Sequence, residues 1–108
     1  MIVTAVKTKV LVPPRDDFLA ALREALPAIE ENSILVVASK VVSIWQGRCV
    51  RKSDILEKDD LIVKEAEWYL PRDFVPGRFV LHTQKYNLLI PTAGIDESNA
   101  GEYYILWP

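Results

Sequence analysis

The sequence predicts an α+β domain, a mixed or antiparallel sheet with about two helices, and three observations carry that prediction. Apolar residues recur at helical spacing in two segments, short β-branched or aromatic runs alternate with those segments, and two of the runs are separated by a hairpin-length connection. With 108 residues, half of them hydrophobic, there is material for one core, so residues 1–108 are expected to form a single domain.

From Ile2 to Val12 small apolar and polar residues alternate, which favours an extended strand or a pair of strands, stopped by Pro13-Pro14. Asp16 is placed to cap a helix whose apolar face is Phe18, Leu19, Leu22, Leu26 and Ile29, with Pro27 disturbing the last turn. After the polar stretch Glu30 to Ser33, the unbroken apolar run Ile34 to Ala38 reads as a central strand buried on both faces. Ser39 to Arg48 mixes apolar and polar residues and is compatible with a short helix or with a loop returning to a strand at Cys49-Val50.

The stretch from Asp60 to Leu70 suits a second helix, ended by Pro71. Strands are then expected at Arg78–His82 and Asn87–Ile90, joined through Thr83 to Tyr86, and a last aromatic strand at Tyr103–Trp107. An aromatic strand left at an edge predicts self-association.

Composition excludes several classes of function. Charged residues make up 26% with a formal net charge of -2, which is the wrong balance for a phosphate backbone, so nucleic acid is not an expected partner. No stretch approaches the roughly 20 apolar residues of a membrane span, and the start has no basic region ahead of a long apolar run. Cys49 is the lone cysteine, so neither an intrachain disulfide nor a cysteine zinc site is available, and a cytoplasmic location is expected.

Chemistry is concentrated in two places. The stretch from Pro91 to Gly101 interrupts two strands with small and oxygen-bearing residues: Gly94 permits unusual backbone geometry, and Asp96, Ser98 and Asn99 offer oxygens to a hard cation or its phosphates. By themselves these residues also describe a turn with an Asx cap. Ser39-Lys40 directly follows the apolar run, where α/β sheets bind ligands, and Lys40 reads either as a phosphate ligand or as a solvated lysine. His82 and Cys49 read as structural, since neither has a metal-ligand or nucleophile pattern around it. No catalytic residue is assigned.

Two motifs taken together, Ile34 to Ser43 followed by Gly47-Arg48, and Ala93-Gly94-Ile95-Asp96-Glu97-Ser98-Asn99, resemble the coenzyme F-420-0 gamma-glutamyl ligase family. The likeness spans nearly the whole chain, and the Glu65 to Leu70 segment and the Tyr103 to Pro108 ending look nearest to a bacterial branch labelled as folate-metabolism gamma-glutamate ligases. The resemblance implies GTP- and Mg²⁺- or Mn²⁺-dependent addition of L-glutamate to a small-molecule acceptor, coenzyme F-420-like or folate-like, through an acyl phosphate. It implies that Asp96 binds metal and that Ser39, Lys40 and Asn99 contact nucleotide. Ile44 stands where many members have a lysine.

The family's further acidic motif has no counterpart here, so the chain is expected to be the N-terminal part of a ligase, supplying half a site and inactive alone. Members form dimers, which makes a homodimer the expected assembly. The competing expectation is a non-catalytic binding or dimerisation module that retains the ligase fold.

Overall fold

The computed structural model describes residues 1–98 and 100–108, with three α-helices, α1 (Phe18–Ala25), α2 (Ser39–Gln46) and α3 (Lys58–Glu65), and five short strands. Antiparallel β1 (Cys49–Arg51) and β5 (Tyr103–Ile105) form one ladder, in the register Cys49 to Ile105. The second sheet is antiparallel in the order β2 (Trp68–Leu70), β3 (His82–Lys85), β4 (Leu88–Pro91). The expected α+β class with antiparallel sheets is what the chain forms.

Each helix has a local cause. Asp17, not Asp16, caps α1 by accepting from the Ala20 N–H at 3.0 Å, while Asp16 takes the Val12 N–H and the Lys9 ammonium. The helix stops at Ala25 rather than running to Ile29, because Leu26 precedes Pro27 and is pushed into extended backbone. Ser39 to Gln46, left open between helix and loop, is helical, and Gly47 in the left-handed region closes it with N–H bonds from Gly47 to Ile44 O and from Arg48 to Ser43 O. The second expected helix occupies Lys58–Glu65 only; Trp68 to Leu70 turns out to be a strand, its backbone paired with β3.

The hairpin is present but shifted. Tyr86 and Asn87, both at positive φ, make the two-residue turn, so Thr83 to Lys85 belong to β3 instead of to the connection, and Arg78 to Leu81 lie outside the strand. This shift decides the inner face, because Thr83 and Lys85 then point together into the protein and both are buried.

Two expected strands are not formed. Residues 2–12 have no strand, and Ile34–Ala38 has none either, with Ile34 87% and Val36 85% exposed. Extended backbone becomes a strand only where another strand supplies the ladder, and neither run meets one among the described residues. Their reach beyond the core accounts for a radius of gyration of 16.6 Å, against about 13 Å for a globule of this length. The last strand also differs from expectation: Tyr103 and Tyr104 are half-buried and Ile105 and Leu106 buried, so the aromatic segment is an inner wall and not an exposed edge.

The core joins the two sheets. Leu61 and Ile62 of α3 pack with Leu81, Ala93, Ile95 and Leu106, and a smaller cluster unites Ile44 of α2 with Ala100 and Ile105. Phe18 of α1 meets Trp45 of α2 edge to face, with ring centroids 6.5 Å apart. Beside the main cluster, the Glu65 Oε2 atom accepts from Arg48 Nη2 at 2.5 Å and from Lys85 Nζ at 2.7 Å. No helix among the described residues is long and apolar enough to cross a membrane.

Burial pushes the Glu65 carboxyl up, but the hydrogen bonds from Lys85 and Arg48 outweigh it and hold the group below the usual glutamate value of 4.5. Its contribution to stability is therefore fully present above that value and is lost as pH falls through the lower folded one. Glu65→Ala leaves the ammonium of Lys85, a residue only 4% exposed, without its counter-charge, and should cost about 3 kcal/mol in urea unfolding. The acid-induced loss of stability below pH 4.5 should be smaller in that variant than in the wild type.

Candidate functional site

The stretch from Pro91 to Ser98 is shaped by backbone geometry before side chains enter. Thr92, Ala93 and Gly94 have φ of 55°, 52° and 72°, three consecutive residues in the left-handed region, which two residues with a Cβ occupy at a cost of about 1–2 kcal/mol each. The turn is held by Thr92 N–H to Leu81 O at 2.8 Å, Ala93 N–H to Thr83 Oγ1 at 2.7 Å and Ile95 N–H to Thr92 O at 3.0 Å. The Thr83 hydroxyl in turn donates to the Ile90 carbonyl. A buried threonine thus spans the hairpin and the turn, and Ala93, fully buried, leaves no space for a larger side chain.

Gly94 is required twice over. Its φ is left-handed, and a Cβ there would lie 2.6 Å from Cε3 of Trp107, whose ring covers this side of the turn. Asp96 follows and is bridged to Ile105 of β5 by two backbone hydrogen bonds of 2.8 Å, N–H to O in each direction. The aspartate backbone is therefore as fixed as a strand residue, while its side chain is free to face the start of α2.

There it meets Lys40. The Lys40 Nζ atom lies 2.7 Å from Asp96 Oδ2 and donates to the Ser98 carbonyl at 2.9 Å, and Asp96 Oδ1 accepts from the Ser98 N–H and hydroxyl, each at 2.7 Å. Burial raises the Asp96 carboxyl, yet Lys40 and the two Ser98 donors outweigh it and bring it to about 2. A folded-state value below the usual 3.8 means that the pair is intact above that value and is lost only as pH falls through about 2.

Ser39, Lys40, Ser43, Gly94, Asp96 and Trp107 line a shallow cleft at this point. Of the four residues expected to form a site, Ser39, Lys40 and Asp96 are brought together; Asn99 lies outside the described residues. Sequence reasoning did not foresee that Lys40 and Asp96 pair with each other across 56 positions, nor that the buried Ser43 hydroxyl donates to Leu106 O at 2.6 Å, fastening α2 to the segment after β5.

Ile44 is buried in the smaller core cluster, one turn after Lys40. The position where the resemblance led to an expected lysine is here a packing position, and Lys40 carries the positive charge of this helix at the cleft. Cys49 is half-buried beside that cluster, and burial pushes its thiol up, which fits packing rather than reactivity. His82 is exposed on β3, and no group of three His, Cys, Asp or Glu side chains is gathered among the described residues.

The family model described as F420-0:Gamma-glutamyl ligase matches residues 6–108, nearly the whole chain. No solved structure matches it.

Because Trp107 rests on Gly94 and lines the cleft, Gly94→Ala should destabilise the protein by about 1–3 kcal/mol and alter the near-ultraviolet circular dichroism of its tryptophans. Thermal melts and near-ultraviolet spectra of the variant check both effects.

Proposed function

We propose, from the premise that this chain belongs to the F420-0:gamma-glutamyl ligase family, that it supplies the Asp96 and Lys40 half of a cytoplasmic ligase site. The reaction is the joining of the amino group of L-glutamate to a carboxylate of a coenzyme F-420-like or folate-like acceptor, driven by GTP. The acceptor carboxylate takes the γ-phosphoryl group to give an acyl phosphate and GDP, and the amine then displaces phosphate to form the amide. The observation that carries this reading is the meeting of Lys40 and Asp96, from distant parts of the sequence, at one cleft.

The donor chemistry suits a Mg²⁺ or Mn²⁺ ion. Asp96 and Ser98 present hard oxygen atoms, and such ions are commonly held by one or two carboxylates together with substrate phosphates and water, without an all-protein cage. Bound there, the ion would neutralise charge on the transferred phosphoryl group. Lys40 offers a point charge to phosphate oxygens, the Ser39 hydroxyl stands beside it on the first turn of α2, and Asn99 is assigned to nucleotide from the family motif alone.

In the complete protein, Asp96→Asn should abolish metal-dependent ligation and leave the fold intact, being nearly isosteric and retaining hydrogen bonding in the turn. Lys40→Ala should weaken GTP binding by about tenfold, a change of about 1.4 kcal/mol. Turnover assays with both acceptor classes and calorimetric GTP titrations decide these. Full activity of Asp96→Asn removes the metal assignment, and unchanged GTP affinity returns Lys40 to a solvated ion-pair partner.

A second reading, an assembly module that keeps the ligase fold, is favoured by a different observation. The strand-like runs at 2–12 and 34–38 form no strand among the described residues, and Ile2, Val3, Val10, Ile34 and Val36 on them are largely exposed. A homodimer that pairs them accounts for the exposed apolar side chains they carry. Light scattering should give twice the chain mass, and Ile34→Glu with Val36→Glu should return it to one.

A further inference from the structure

Lys40 and Asp96 form a closed pair. The ammonium sits on Oδ2 and on the Ser98 carbonyl, and the remaining carboxylate oxygen is taken by the two Ser98 donors. The oxygens that would attract a hard cation are thus already shared with a cationic side chain. A divalent ion seated on Oδ2 would stand within a few ångströms of Lys40 Nζ, and like charges that close repel strongly in a partly desolvated cleft. The two cations are therefore alternatives for one position.

The structure also allows one of them to leave. Lys40 makes its polar contacts through its ammonium alone, at the end of a flexible four-carbon stem on the first turn of α2, and its side chain is 30% exposed. Asp96 cannot follow it, because its backbone is bridged to Ile105 and its other oxygen is bound by Ser98. The moving part is the lysine, and the fixed part is the carboxylate.

We propose that Lys40 is the resident counter-cation of Asp96, that a divalent cation displaces it, and that the ammonium so released turns to the polyphosphate in the cleft, an exchange that rests on the cation reading above. Cation and polyphosphate binding are then coupled through a single side chain, and by linkage each raises the affinity of the other. In the absence of either ligand, the lysine keeps the carboxylate neutralised and the cleft closed to stray cations. One residue acts as a competitor before binding and as a ligand after it.

The test uses Mn²⁺ alone as probe, titrated by calorimetry into the complete protein and its Lys40→Met, Lys40→Arg and Asp96→Asn variants, with thermal melts confirming that each is folded. Removal of the competing charge should tighten Mn²⁺ binding in Lys40→Met by up to about fivefold, the upper end of what a partly exposed ion pair is worth. Lys40→Arg keeps the charge and should stay near the wild type, and Asp96→Asn should lose saturable binding. Inorganic tripolyphosphate should raise Mn²⁺ affinity more in the wild type than in Lys40→Met. If Asp96→Asn loses Mn²⁺ while Lys40→Met binds it no tighter than the wild type, the exchange is overturned and the metal site stands. Mn²⁺ binding in Asp96→Asn equal to the wild type overturns the metal site, and the exchange with it.

Discussion

A single carboxylate, Glu65, joins the parts of this molecule. It closes α3, accepts from Lys85 on the inner face of β3, and accepts from Arg48 at the end of α2. Arg48 also donates from Nε to the Trp107 carbonyl at 3.2 Å, and its own carbonyl accepts the Leu106 N–H at 2.9 Å. One acidic group therefore ties the three-stranded sheet to the two-stranded ladder and to the segment that walls the cleft. Two cations on one acid can be kept this close because burial strengthens their attraction to the carboxylate as much as it penalises each charge singly.

What this arrangement positions is the left-handed turn. Its strain is offset by a buried hydroxyl, an alanine with no space around it, and a glycine under an indole ring. The consequence is a rigid aspartate: Asp96 is fixed through its backbone to β5 and through its side chain to Ser98, while the lysine that faces it belongs to a different element. A fixed anion opposed by a flexible cation is suited to a site that must take up and release charged ligands, since exchange requires only a side-chain rotation.

Parts of the molecule were legible in advance, for physical reasons that can be named. The 3.6-residue spacing of Phe18 and Leu22 announced α1, and the polar connection Thr83 to Tyr86 announced a hairpin, though not its register. The small and oxygen-bearing residues from Pro91 to Gly101 marked a candidate site, while by themselves they fitted an ordinary turn equally well. Register escaped because a one-residue shift exchanges the faces of a strand, and nothing local showed that Lys85 would find Glu65 inside.

The sequence by itself determined the α+β class, the presence of α1 and of a hairpin, the absence of a basic or membrane-spanning composition, and the motifs by which the family is recognised. Those properties are local, written in composition and in spacings of two to four residues. The tertiary structure alone decided that Ile34 to Ala38 is not a central strand, that Ile44 is a packing position, and that Lys40 and Asp96 neutralise each other. A strand exists only as a relation to another strand, burial only as a relation to the rest of the core, and an ion pair only where two distant segments have been brought to the same point.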